Sequence, residues 1–149
     1  SKQEFLSRAG GLMEAYTLAT GFEVCSNIYE GNGRIGLVIT SNNSHIGCVT
    51  VLRPPMQMNH TGETIHTHPA SLQIRLNKND EILSHFHRKR NAMFRPDPHV
   101  FSDTDYQNGA GYMVIQGKIK YQQGVGTMQT VMEITPPDPK VLASVLPSL

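Results

Sequence analysis

The stretch Glu63-Thr64-Ile65-His66-Thr67-His68-Pro69 reads as a β-strand that stops at a proline, a residue that cannot donate to a sheet ladder. Residues two apart on a strand share a face, roughly 6.6 Å apart along its axis. His66 and His68 can therefore turn two imidazoles toward one ion, and zinc accepts neutral histidine nitrogens at about 2.0–2.1 Å. Alone, His-x-His also suits two exposed or hydrogen-bonded histidines at a strand end.

Upstream of this strand, apolar residues from Gln3 to about Thr20 (Phe5, Leu6, Ala9, Leu12, Met13, Tyr16) recur in steps of three and four, the mark of one helical face. Gly10-Gly11 weakens that helix by roughly 1 kcal/mol per glycine. Phe22 to Tyr29 reads as a strand, Glu30-Gly31-Asn32-Gly33 as a turn, and Arg34–Thr40 and His45–Leu52 as two further strands. Downstream, Asn79-Asp80 can cap a helix running to about Met93, with Ile82, Leu83 and Phe86 on its inner side. Its outer side would hold His85, His87, Arg88, Lys89 and Arg90, a solvated charged face or a lid over a cleft. Ser102 can cap a short helix ending near Gly109. Tyr112–Ile115 and Lys118–Gln122 form a hairpin around Gln116-Gly117, and Thr127–Ile134 supplies a last strand. Four prolines mark the tail from Pro136 to Leu149 as a docked or mobile extension. Helix, strands, helices, strands is the order of an α+β layered domain.

Composition narrows the function classes. With 149 residues, 38% hydrophobic and 17% charged, and a formal charge of +1, the chain fits one globular domain. It is too apolar for a disordered tail and too neutral for a general nucleic-acid binder. No apolar run approaches the ~20 residues of a membrane span. The ~250 residues of a TIM barrel are not there, which argues against the amidohydrolase use of His-x-His. A cupin would need a Glu a few residues after the second histidine, and residues 70–76 contain none. The start Ser1-Lys2-Gln3, without Met or a signal-peptide pattern, suits a trimmed chain or one domain of a longer protein. Cys25 and Cys48 are either two buried thiols or one disulfide, and geometry decides between them.

Two further features complete a constellation. Ser102-Asp103-Thr104-Asp105 has the spacing of a helix capping box, yet Asp105 in that first turn is also placed to be a third metal ligand. Glu23 is by default an exposed strand carboxylate or ion-pair partner. Together, His66, His68 and Asp105 could supply three ligands and Glu23 a base, while the Ser102 hydroxyl could donate to an oxyanion.

Glu23-x-Cys25-Ser26, His66-Thr67-His68-Pro69 and Ser102-x-x-Asp105, in that order, resemble the JAMM (MPN+) metalloprotease signature. Phe101–Asp105 with Gly111-Tyr112-Met113-Val114 and Gly117-Lys118-Ile119 further resembles a bacterial, polymorphic-toxin-associated branch of that family. The resemblance spans about Glu4 to Ile134. It implies a JAMM/MPN-like, cytidine deaminase-like layered domain over residues 1–135, with 136–149 as a Pro-rich C-terminal extension. It implies Zn2+ on His66, His68 and Asp105, Glu23 as general base and Ser102 as oxyanion donor, in the hydrolysis of a peptide or isopeptide amide. The substrate it implies is a protein or peptide, such as a ubiquitin-like conjugate or a peptidoglycan stem. A cognate immunity protein is a further implied partner, and a secreted or delivered toxin domain an implied setting. Two other functions carry the same motif: an inactive JAMM-like scaffold that binds proteins, and a peptidoglycan-directed amidase or endopeptidase. The family places Ser-x-x-Asp within about a dozen residues of His-x-His-Pro, whereas here a helical segment at about 70–100 is inserted. That insertion offers His85, His87 and His99 as alternative ligands to Asp105.

Overall fold

The computed structural model describes residues 1–146. Helix α1 (Lys2–Thr20) begins at Ser1, whose hydroxyl caps the Glu4 amide, and ends at Gly21 in the left-handed region. Strands β1 (Cys25–Gly31) and β2 (Arg34–Leu37) form a hairpin. Asn32 and Gly33 make its turn with φ of 53° and 73°, the backbone a two-residue type I′ loop demands. Strand β3 (Asn59–Thr67) is followed by a segment that holds β4 (Ile74–Arg75), α2 (Lys78–Leu83) and β5 (Met93–Phe94). Then come α3 (Asp103–Gln107), β6 (Gly111–Ile115), β7 (Lys118–Gln122), β8 (Gln129–Glu133) and α4 (Pro139–Val145).

The main sheet has the order β2-β1-β3-β6-β7-β8. Only β3 and β6 run parallel. A parallel pair needs a crossover that lies over the sheet, and here residues 68–110 supply it. The two faces are covered differently. Leu6 and Met13 of α1 pack on Ile28, Ile65, Val114 and Ile119, and buried Thr17 joins Thr67 through their hydroxyls at 2.6 Å. Ile65 and Thr67 thus face α1, so the period of two sends His66 and His68 to the opposite face. There Phe101 packs on Met113 and Ile115, with Ala70 and Tyr106 beside them. The domain is a mixed α+β layer structure, and among the described residues no helix is long and apolar enough to cross a membrane.

The glycine pair in α1 has a packing reason. A Cβ on Gly10 would stand 2.9 Å from Ile119 Cδ1, and one on Gly11 only 2.0 Å from the Thr135 carbonyl oxygen. The helix accepts a propensity penalty because its backbone lies directly against the sheet and the chain after β8. There Thr135 N–H donates to Ser7 O at 3.0 Å.

Two expectations fail. His45–Leu52 is not a strand: after Thr40, which bridges Cys25, residues 41–52 form an irregular strap. Side chains rather than a ladder hold it, with Asn42 Oδ1 accepting from Val49 N–H and Ser44 Oγ from the amides of Ile46 and Gly47. The helix expected from Asn79 to about Met93 is the six-residue α2, capped by Asn77 with Asp80 as its reciprocal partner. It stops because His85 and Phe86 turn left-handed, with φ of 53° and 65°. The expected outer residues His85, His87, Arg88, Lys89 and Arg90 are exposed, but the inner side fails in part: Asp80 and Glu81 are buried while Ile82 and Phe86 are 44% and 56% exposed. Both acids have partners that make burial tolerable. Arg90 grips Glu81 with two side-chain nitrogens at 2.7 and 2.9 Å.

The alternatives left open for the cysteines close in favour of a disulfide between Cys25 and Cys48, with Cα atoms 6.0 Å apart. The tail is not featureless. Residues 139–145 form α4 behind an Asp138 cap, and residues 147–149 lie outside the described chain.

Candidate metal centre

The end of β3 carries the centre. His66, the last but one residue of the strand, is buried, and His68 lies one step beyond its end. His68 stays aligned with the sheet because its amide donates to Val114 O of β6 at 3.1 Å. Its ring is oriented too: Nδ1 donates to Pro98 O at 3.0 Å, which leaves Nε2 as the nitrogen with a free lone pair. Nε2 of His66 and Nε2 of His68 stand 2.9 Å apart. Two ring nitrogens aimed at each other suit a shared cation.

Asp105 reaches the same point from the first turn of α3. Its Oδ2 lies 3.3 Å from His66 Nε2 and 3.6 Å from His68 Nε2. The capping box of Ser102-x-x-Asp105 forms, and it also turns the Asp105 carboxylate toward the two imidazoles. Asp105 Oδ2 accepts the Ser102 amide at 2.8 Å, and Ser102 Oγ accepts the Asp105 amide at 3.1 Å. The cap thereby fixes the carboxylate facing both imidazoles. Burial works to raise the Asp105 carboxyl, but the close imidazoles of His66 and His68 and the hydrogen bond from the Ser102 amide outweigh it and hold Asp105 far below the usual carboxylate range.

Glu23 lies two residues before β1 and is buried. Its carboxylate and the two imidazoles each place one ligand atom within 4.8 Å of the others. Burial pushes the Glu23 carboxyl up to about 8; His68 opposes the rise, while the negative charges of Asp105 and Asp80 add to it. A dication among these groups would favour the ionised form.

The donor set fits a small tetrahedral ion. The triangle of His66 Nε2, His68 Nε2 and Asp105 Oδ2 has sides of 2.9, 3.3 and 3.6 Å. Ligands 2.0–2.1 Å from a tetrahedral zinc lie roughly 3.3–3.4 Å apart. Two nitrogens and one carboxylate oxygen with one position left open is also the donor pattern of catalytic zinc. Among the described residues, His85, His87 and His99 make no hydrogen bond or ion pair with His66 or His68, so Asp105 is the partner they meet.

These groups sit in a cleft of about 810 Å³ at the carboxyl end of the parallel β3–β6 pair, the usual side for ligands on parallel strands. The strap lines it through Ile46, Cys48 and Val49, and the segment between β3 and α3 lines it through Leu83, Arg88 and Phe94. Exposed Ser102 lines the same cleft. Three participants escape the sequence reading: the Pro98 carbonyl, and Ser44 and Asp80, which bond each other at 2.6 Å behind Glu23. The Asn77-x-x-Asp80 spacing was the available sign of the last. Compared with protein-family models, with curated proteins and with solved structures, the chain matches none.

Proposed function

We propose that this domain is a JAMM-like, zinc-dependent hydrolase of peptide or isopeptide amides. The observation that carries the reading is the convergence of His66, His68 and Asp105 on one point with the Glu23 carboxylate beside it. A zinc ion held there would polarise the scissile carbonyl and lower the pKa of a coordinated water. In this reading His66, His68 and Asp105 are the ligands. The Glu23 carboxylate takes one proton from the attacking water as its oxygen adds to the amide carbon. Ser102 Oγ already accepts the Asp105 amide, so its hydrogen is free to be donated to the developing oxyanion. Glu23 then delivers the proton to the departing nitrogen as the C–N bond breaks, giving a carboxylic acid and an amine.

The test is hydrolysis by zinc-loaded protein of two probes, a ubiquitin-chain isopeptide and a peptidoglycan stem peptide. Glu23→Ala should retain the metal and lose at least 10²-fold in rate, the lower end of what a positioned base contributes. A Glu23→Ala enzyme as fast as wild type removes the base from the mechanism. A fully zinc-loaded wild-type protein that cleaves neither amide counts against the hydrolase and for the binding scaffold.

A further inference from the structure

Asp80 is more completely tied down than a helix cap requires. It is wholly buried, and its carboxylate accepts four hydrogen bonds. Oδ1 receives Ser44 Oγ–H at 2.6 Å and the His45 amide at 2.7 Å; Oδ2 receives the Asn77 amide at 2.7 Å and His45 Nδ1–H at 2.8 Å. Only the Asn77 bond belongs to the cap of α2. The other three come from the strap. A buried carboxylate is costly to leave unpartnered, so the inserted segment and residues 44–45 hold each other in place.

Ser44 carries this tie onward. It too is wholly buried. While its hydroxyl bonds Asp80, its carbonyl accepts the Glu23 amide at 2.8 Å. Glu23 precedes the ladder of β1 and has no strand partner of its own. Its neighbour Val24 is held by Thr67 of β3 on one side, through bonds of 3.0 Å in each direction. On the other side, the backbone of Glu23 is held by Ser44.

We propose that Asp80 is a positioning residue for Glu23, acting through Ser44, so that the insertion between His68 and Ser102 sets the placement of the base. The catalytic half rests on the hydrolase reading; the structural half does not. A general base must stand within hydrogen-bond reach of the proton it removes. A displacement of about 1 Å in a reacting group can cost 10²-fold in rate.

The experiment compares Ser44→Ala, Asp80→Asn and a control, Asn77→Gly, which removes the α2 cap side chain but leaves the strap bonds of Asp80 intact. Amide hydrogen exchange at Glu23 is followed in the full chain, beside kcat, KM and zinc content. Ser44→Ala and Asp80→Asn should speed exchange at Glu23 at least tenfold, with Val114 and Ile119 changed less than twofold. Asn77→Gly should leave Glu23 within twofold. In zinc-loaded Ser44→Ala, kcat should fall about tenfold or more, with KM within twofold and the metal retained. Unchanged protection of Glu23 in Ser44→Ala overturns the proposal. So does equal acceleration in Asn77→Gly, which would make Asp80 a helix cap alone, and so does faster exchange with kcat unaltered. If wild type hydrolyses nothing while Glu23 loosens as described, the tie stands and the hydrolase reading falls.

Discussion

Reduction of the Cys25–Cys48 bond should lower stability substantially while leaving the native strap in place. Cys25 opens β1 directly opposite His66, and its partner lies 23 residues along the chain. The strap has other anchors. Thr40 exchanges two backbone bonds with Cys25, Asp80 holds Ser44 and His45, and Val51 O accepts Tyr29 Oη–H and Asn27 Nδ2–H. Native contacts therefore survive reduction, and the cost arises in the unfolded chain, which regains the freedom of a closed loop. For a loop of that length the chain-entropy relation gives ~3.4 kcal/mol at 25 °C. An unfolding entropy of ~2.1 cal/mol/K per residue over 149 residues converts this into a fall in Tm of about 11 °C. The assay is thermal unfolding by circular dichroism with and without a phosphine reductant, beside a Cys25→Ala/Cys48→Ala chain. The double variant should melt near the reduced protein and ignore the reductant. A drop under ~3 °C, about 1 kcal/mol, would refute the loop-entropy argument.

Two further predictions probe the packing. Gly11→Ala should destabilise by at least ~1 kcal/mol despite better helix propensity, because the new methyl meets the Thr135 carbonyl at 2.0 Å; urea denaturation showing a gain would contradict the close approach of α1. Glu63 is partly buried, which raises its carboxyl, but hydrogen bonds from Lys2 and Tyr121 outweigh this and hold it below the usual carboxylate range. A lowered folded-state pKa gives stability that is present above the unfolded value of ~4.3 and lost as pH falls through the folded one. Glu63→Gln should therefore cost about 1 kcal/mol at pH 7, Lys2 being partly solvated, and the gap to wild type should narrow toward pH 3. A gap independent of pH would remove Glu63 from that linkage.

What the sequence discloses follows the physics of each segment. Helix α1 is legible because Leu6, Ala9 and Met13 recur at helical spacing and all three are buried. Hairpin β6–β7 is legible because Gln116-Gly117, which take positive φ, separate the apolar run Tyr112–Ile115 from the alternating Lys118–Gln122. The His66, His68 and Asp105 cluster is legible because a strand period and a capping box each fix a side chain's direction. The strap was misread since alternating Ile46, Cys48 and Thr50 mimic a strand, while what holds them is a disulfide and the distant Asp80. Around α2, Ile82 and Phe86 are exposed although their hydropathy marks them for the inner side. A periodicity argument assigns burial by hydropathy, and partners brought from 36 and 9 residues away decided it for Asp80 and Glu81 instead.

The proposed hydrolase requires a zinc ion on His66, His68 and Asp105, and elemental analysis of the purified protein measures it. Wild type should carry about one zinc per chain, and His68→Ala should carry none, since one of the three ligands is lost. Glu23→Ala, which spares all three, should keep its metal. No zinc in wild type after the metal is added back, or an equal amount in His68→Ala, would rule out a zinc site on these three residues.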